Sequence, residues 1–310
     1  MRITRQMDDL RPETRPVVLA IGSFDGLHLG HQLILRTAVE KARAGGGEAW
    51  ALTFDPHPAK VLKPEHAPPL VTSTEHKLVL MEPFGLDGCI VLPFTRELAV
   101  EEPDVFLDRL TRNIPTLAGI VVGANWTFGH RARGNAEMLQ SEAPKRGFEA
   151  VVVKPLTLGG EPISSTRLRR AISRGEFDEI AAMTGRPFSI LGTVVRGKQI
   201  GTRMGFPTAN LDPHNEVRPP SGVYAVRVLY GGRMLPGAAF ISETGDAKSG
   251  PSGFIVEVHL LDFDDDLYGR DLEMFFVRWV REVRHFPSRL QLKEQIARDV
   301  EQVREMLAEG

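Results

Sequence analysis

The 310-residue chain carries one cysteine and three tyrosines, and aromatic residues make up only 7% of it. A single thiol excludes internal disulfides and any cysteine-rich metal site. Cys89, within Gly88-Cys89-Ile90-Val91-Leu92, reads instead as a buried strand residue in a protein of a reducing, cytoplasmic setting. Charge of one sign is also missing: 38 Lys plus Arg stand against 40 Asp plus Glu, a net charge of -2, so no basic field attracts nucleic acid or an anionic membrane non-specifically. No stretch approaches the roughly 18 apolar residues of a spanning helix, and no apolar run follows the charged N-terminus. Small-molecule partners are therefore expected, with the chain a monomer or weakly self-associating. Two phosphate signatures, G-x-x-x-x-G-K-[ST] and G-x-G-x-x-G, are absent.

What is present changes character along the chain. From residue 17 to about 155, continuous apolar runs of strand length (17–21, 49–54, 89–92, 119–122 and 150–153) alternate with amphipathic stretches, as buried parallel strands do. Residues 32–43 predict a helix ended by Gly45-Gly46-Gly47. This half is expected to be α/β and doubly wound, a Rossmann-like domain. After residue 187 the period becomes two. Residues 223–228 lead into Tyr230-Gly231-Gly232-Arg233, a hairpin turn, and Phe254, Val256, Val258 and Leu260 share one strand face. An antiparallel β-barrel is expected, closed by a helix over 288–307 with Ser288 and Gln291 as a capping box and Leu290, Ile296, Val300, Val303 and Leu307 as its apolar stripe. The division is expected at residue 186/187.

Directly after the first strand stands Gly22-Ser23-Phe24-Asp25-Gly26-Leu27-His28-Leu29-Gly30-His31. Glycines let backbone approach an anion, and a helix start adds unpaired N–H groups and a positive dipole end. Histidines three apart project to one side, where both can donate to phosphate oxygens. A glycine-rich turn with two surface histidines is the bland alternative for a lone H-x-G-H; the whole decapeptide after a buried strand is more specific.

This segment resembles the nucleotidyltransferase signature of the bacterial bifunctional riboflavin kinase/FMN adenylyltransferases (FAD synthetases). Thr53-Phe54-Asp55-Pro56-His57-Pro58, then residues 122–129, then Ile163-Ser164-Ser165-Thr166-Arg167-Leu168-Arg169 follow in the family's order. The resemblance runs through nearly the whole chain. It implies that Gly22, Phe24, Asp25, His28, Gly30 and His31 engage ATP, that Ser164, Thr166 and Arg169 bind its triphosphate, and that Phe54, Pro56, Pro58 and Asn125 line the flavin side. Taken alone, Ser164-Ser165-Thr166 also reads as an ordinary helix cap with a basic solvated turn.

In the second half, Gly197, Gly201 and Gly205 punctuate a loop that leads into Phe206-Pro207-Thr208-Ala209-Asn210, similar to the G-F-P-T-A-N motif of riboflavin kinases. The resemblance implies that the loop folds over a nucleotide and that Thr208 and Asn210 bind Mg²⁺ and phosphate, which suits hard oxygen ligands. Phosphorylating an alcohol requires a proton acceptor, and mid-strand Glu257, in an element matching the family's E-x-H-L-L-D-F, is the candidate, with His259 read as structural. Asp262, Asp264, Asp266 and Glu273 mimic part of a calcium-loop spacing, but Leu267 stands where glycine is needed, and a solvated hairpin suffices.

One departure stands out. Where family kinase domains carry an asparagine- and glycine-containing element ending in Pro-Thr-Phe, this chain has Ile241 to Pro251. The expected activity is synthesis of FMN from riboflavin and of FAD from FMN, both with ATP. The alternatives are adenylyl transfer alone, with a weakened kinase domain, and a non-catalytic flavin sensor.

Overall fold

The computed structural model describes residues 1–7, 15–197, 200–243 and 254–308. The chain forms two compact units, Met1–Pro68 with Thr74–Ser165, and Pro69–Ser73 with Thr166–Gly310.

In the first unit six parallel strands, β1 (Arg2–Thr4), β2 (Val17–Ile21), β3 (Glu48–Asp55), β4 (Gly88–Pro93), β5 (Leu117–Gly123) and β6 (Glu149–Val153), lie in the order β1-β4-β3-β2-β5-β6. The apolar runs are continuous because both faces are covered. Leu19, Ile21, Leu52, Ile90 and Ile120 point into one core with Phe106, Leu107 and Leu110 of a helix at Pro103–Asn113. Val18, Ala20, Ala51, Val91 and Val121 point into the other, against Ile34, Leu35 and Ala38 of helix α1 (Leu29–Ala44). Helices on both faces make the sheet doubly wound. A second short helix on this unit, α2 (Thr74–Met81), buries His76, Lys77 and Met81.

The second unit begins with α3 (Ser165–Arg174, starting on the first unit's last residue) and α4 (Phe177–Thr184). Six antiparallel strands, β7 (Ser189–Val195), β8 (Ala209–Pro213), β9 (Gly222–Tyr230), β10 (Arg233–Glu243), β11 (Phe254–Leu260) and β12 (Asp271–Arg281), close a barrel in the order β7-β8-β11-β10-β9-β12. Phe177 of α4 stacks on Phe276 at 5.5 Å and meets Tyr224 edge-on at 5.8 Å. This aromatic packing makes α4 part of the barrel's unit, so the compact unit starts ahead of residue 187. Gly231 and Gly232, with φ of 55° and 76°, form the expected two-residue turn between β9 and β10.

Helix α5 (Arg289–Ala308) closes the chain, and the Ser288 hydroxyl accepts the Gln291 N–H as a cap should. Its stripe differs from expectation. Leu290 is 66% exposed, whereas Val303 and Leu307 are buried with Asp299, whose carboxylate takes two hydrogen bonds from Arg281 at 2.8 and 2.6 Å and one from Gln295. The helix thus docks through an enclosed ion pair as well as apolar contacts. Removing one partner strands a buried charge. Asp299→Ala is expected to lower unfolding stability by about 3 kcal/mol, read by chemical denaturation; a loss below about 1 kcal/mol, the scale of an exposed pair, would show that Arg281 finds water instead.

Candidate active sites

Between Ile21 and Leu29 the backbone adopts positive φ at Phe24 (50°), Gly26 (80°) and Leu27 (40°). Such conformations cost about 1–3 kcal/mol at non-glycine residues and persist when packing over-determines them. Here the Phe24 and Leu27 side chains are fully buried in the core under the loop. His28 is the N-cap of α1: its Nδ1 accepts the His31 N–H at 3.3 Å, which leaves Nε2 to donate. The two imidazoles stack 3.7 Å apart at 17°. A Cβ on Gly30 would sit 3.2 Å from the His28 ring, so a side chain there would push the ring back by a few tenths of an ångström. Burial, then the nearby His28 and Lys77, hold the His31 imidazole well below its ordinary pKa, and it is neutral at pH 7.

The loop's predicted residues have different placements. His28, Gly30 and His31 come together at the helix start. Phe24 and Asp25 are 0% and 1% exposed, backbone included, and lie beneath the loop surface, and His28 is itself buried with 6% exposed. Ser165, to which the sequence gave no ligand role, donates its hydroxyl to the Asp25 carbonyl at 2.9 Å and so ties the 163–169 segment to the 22–31 loop. Ser164 lies in the first unit, while Thr166, exposed, and Arg169, whose Nε donates to the Pro69 carbonyl, belong to the second.

The first unit also holds a cavity of about 880 Å³ lined by Phe54, Pro58, Phe94, Trp126 and Phe128. Trp126 stacks on Phe128 at 4.5 Å and Phe54 meets Phe94 edge-on at 5.6 Å. Such walls suit a planar aromatic ligand. Phe54 and Pro58 were predicted here; Pro56 and Asn125 are exposed and stand outside the lining. Trp126 and Phe128 were missed, although an aromatic pair two apart before Gly129 was a usable signal.

In the barrel, β8 pairs with β11 so that Asn210 lies opposite Glu257, and Phe240 flanks Glu257 on its other side. Directly opposed residues present side chains to one face within reach of each other. Glu257 is half-buried. A Cβ on Gly197 would fall 2.2 Å from Asn210, and one on Gly201 2.5 Å from the Phe206 carbonyl, so two of the three glycines are where the loop crosses the Thr208–Asn210 segment. Gly205 has φ of 88°. A helical turn, Ile200–Arg203, stands within the expected loop, and Lys198 and Gln199 lie outside the described residues. His259 Nδ1 bonds the Pro207 carbonyl at 2.7 Å and its ring meets Phe206 edge-on, a structural role that seats the motif on β11. A cleft of about 310 Å³ is lined by Thr202, Thr208, Val258, Leu260 and residues 263–268. Asp262, from the acidic run, pairs with Arg304 through two hydrogen bonds. Of the altered segment, residues 244–251 lie outside the described residues.

A parallel-sheet unit whose strand β2 runs into a histidine-capped helix, and a barrel that sets Asn210 opposite Glu257, define a nucleotidyltransferase-like domain joined to a kinase-like one. Residues 10–167 match the FAD synthetase family model and residues 184–307 the riboflavin kinase model. The chain is 35% identical over 283 residues to a bifunctional riboflavin kinase/FMN adenylyltransferase of Escherichia coli, covering 91% of this chain and 90% of that one. It is 32% identical to a protein of the same name from Haemophilus influenzae, with 97% of each chain covered. It also superposes on a crystal structure named as a macrolide-efflux protein from Streptococcus pneumoniae with a TM-score of 0.83 and 28% identity, over 97% of this chain and 98% of that one. Among the described residues no helix is long and apolar enough to cross a membrane. The chain belongs to the bifunctional riboflavin kinase/FMN adenylyltransferase family and carries both of its domains.

The neutral His31 has a consequence for stability. Because its folded pKa lies below the ordinary 6.5, the unfolded chain takes up a proton that the folded one refuses. This cost is absent above about pH 6.5 and grows as the pH falls toward the folded value. Unfolding measured from pH 7.5 to 5.0 should show His31→Gln losing less stability on acidification than the wild type; parallel curves would refute the enclosed neutral imidazole.

Proposed function

We propose that residues 1–186 join FMN to the adenylyl group of ATP, and that residues 187–310 phosphorylate riboflavin. The observation that carries the reading is the contrast between the sites: a histidine-capped helix start in one, a carboxylate opposite Asn210 in the other.

In the first reaction an FMN phosphate oxygen attacks the α-phosphorus of ATP, and the bond to the departing pyrophosphate breaks. The nucleophile's second pKa is about 6, so it is largely dianionic at pH 7 and no general base is needed. Alignment of two anions and neutralisation of charge suffice. His28 and His31 donate N–H groups to the phosphates with the α1 N-terminus and the backbone of Gly22 and Gly30, while Ser164, Thr166 and Arg169 take the triphosphate's far end. The isoalloxazine occupies the cavity of Phe54, Pro58 and Trp126, with Asn125 and Pro56 at its edge.

In the second reaction the ribityl hydroxyl gives its proton to Glu257 as its oxygen attacks the γ-phosphorus, and ADP leaves. The Thr208 hydroxyl and Asn210 amide are hard donors of the kind Mg²⁺ accepts while keeping water and phosphate oxygens as its other ligands. When bound there, Mg²⁺ would neutralise developing phosphate charge. Gly197, Gly201 and Gly205 let the loop lie against the nucleotide. Riboflavin, FMN, FAD and ATP are the small-molecule partners, and the cytoplasm is the proposed location.

Incubation of the purified chain with riboflavin, ATP and Mg²⁺, resolved by chromatography over time, is expected to show FMN and then FAD. FAD from supplied FMN but none from riboflavin would select adenylyl transfer alone; flavin binding without turnover would select a sensor. Glu257→Gln should slow FMN formation roughly 10²- to 10⁴-fold and spare FMN-to-FAD conversion. His31→Ala should do the reverse, and equal loss of both activities in either variant would sink the division of labour.

A further inference from the structure

Lys77 lies on α2 with 3% of its surface exposed. Lysine is almost never so enclosed, because its ammonium leaves three N–H donors and a charge to be compensated. Among the described residues it makes one hydrogen bond, to Thr53 Oγ1 at 3.3 Å. That hydroxyl in turn donates to the Ser23 carbonyl at 3.2 Å, inside the loop that carries the two histidines. Thr53 is the residue before Phe54 on β3, so one short chain of bonds runs from Lys77 through the central sheet to the phosphate loop.

We propose that Lys77 is a positioning residue for adenylyl transfer: a sealed cation that holds the 22–31 loop through Thr53 and supplies the fixed positive charge behind the His28–His31 pair. The proposal deepens the reading of the cradle given above and rests on it.

The electrostatics agree with this geometry. The charged groups acting on His31 are His28, stacked on it, and Lys77, and both oppose its protonation. The His31 imidazole is therefore a neutral donor and brings no charge of its own to the cradle. Burial lowers the Lys77 pKa, while Asp25, Asp55 and Glu75 hold it up; Cys89 nearby is a neutral thiol, its pKa pushed up to about 12 by burial. A cation shielded from water acts over a longer range than one on the surface. Placed here, it attracts a triphosphate without depending on the histidines' titration.

The test uses the full-length chain. Lys77→Gln keeps a donor for Thr53 without the charge, and Lys77→Met removes both. In both variants the His31 imidazole, followed by NMR, should titrate at a higher pH than in the wild type. The KM for ATP in FMN-to-FAD conversion should rise roughly tenfold, with kcat changed less. Riboflavin-to-FMN conversion should be unchanged, which reports an intact barrel. Wild-type His31 titration and wild-type KM in Lys77→Gln would overturn the proposal. In the wild type, ATP should shift the Lys77 side-chain resonance; an unmoved resonance under saturating ATP would overturn it with no variant involved. Full FAD synthesis by His31→Ala would instead overturn the cradle reading and this proposal together.

Discussion

The adenylyl-transfer half depends on one backbone constraint, the left-handed conformation forced on Phe24 and Leu27 between a strand and a helix. Neither residue favours it, and both are held because their side chains are locked in the core beneath α1. The core therefore works as a clamp on the loop. With that clamp in place, the chain enters α1 at an angle that makes His28 a cap and stacks it on His31. Loss of the clamp would separate two rings that touch because the backbone leaves them nowhere else to go.

The two halves solve different chemical problems with different architecture. A nucleophile that is already ionised needs a rigid anion cradle, and the end of a parallel strand running into a helix supplies one from backbone and dipole. An alcohol must lose a proton, which calls for a carboxylate at a fixed distance from the phosphate ligands. A closed antiparallel barrel meets that need because register sets cross-strand neighbours, Asn210 against Glu257. The Pro207 carbonyl tied to His259 keeps the Thr208–Asn210 segment on the strand that bears Glu257.

Much of this was legible in the sequence because it is written in short-range patterns. Continuous apolar runs marked the parallel strands, Gly231-Gly232 the hairpin, and His28 and His31 the helix start. What escaped depends on contacts distant along the chain. Nothing near Lys77 or Asp299 in the sequence points to their partners, Thr53 and Arg281, which are 24 and 18 residues away. Leu290 looked like part of the stripe on α5 and faces solvent, since the helix docks through its later turns. Phe24 sits inside the phosphate motif, and only the fold shows that its role is to anchor from below. Phe177, likewise, carries no sign in its own neighbourhood that it packs on Phe276.

The pairing of β8 with β11 also bears on which changes the barrel tolerates. Side chains alternate across a strand, so deletion of Ile255 would turn Glu257 inward, turn Val256 and Val258 outward, and carry His259 away from Pro207 in the same motion. Losing two contacts at a stroke makes this strand intolerant of insertions and deletions, while the turn at Gly231-Gly232, remote in register from either, is free to lengthen. Variation in length among barrels of this kind should therefore collect at hairpin tips and spare the seam.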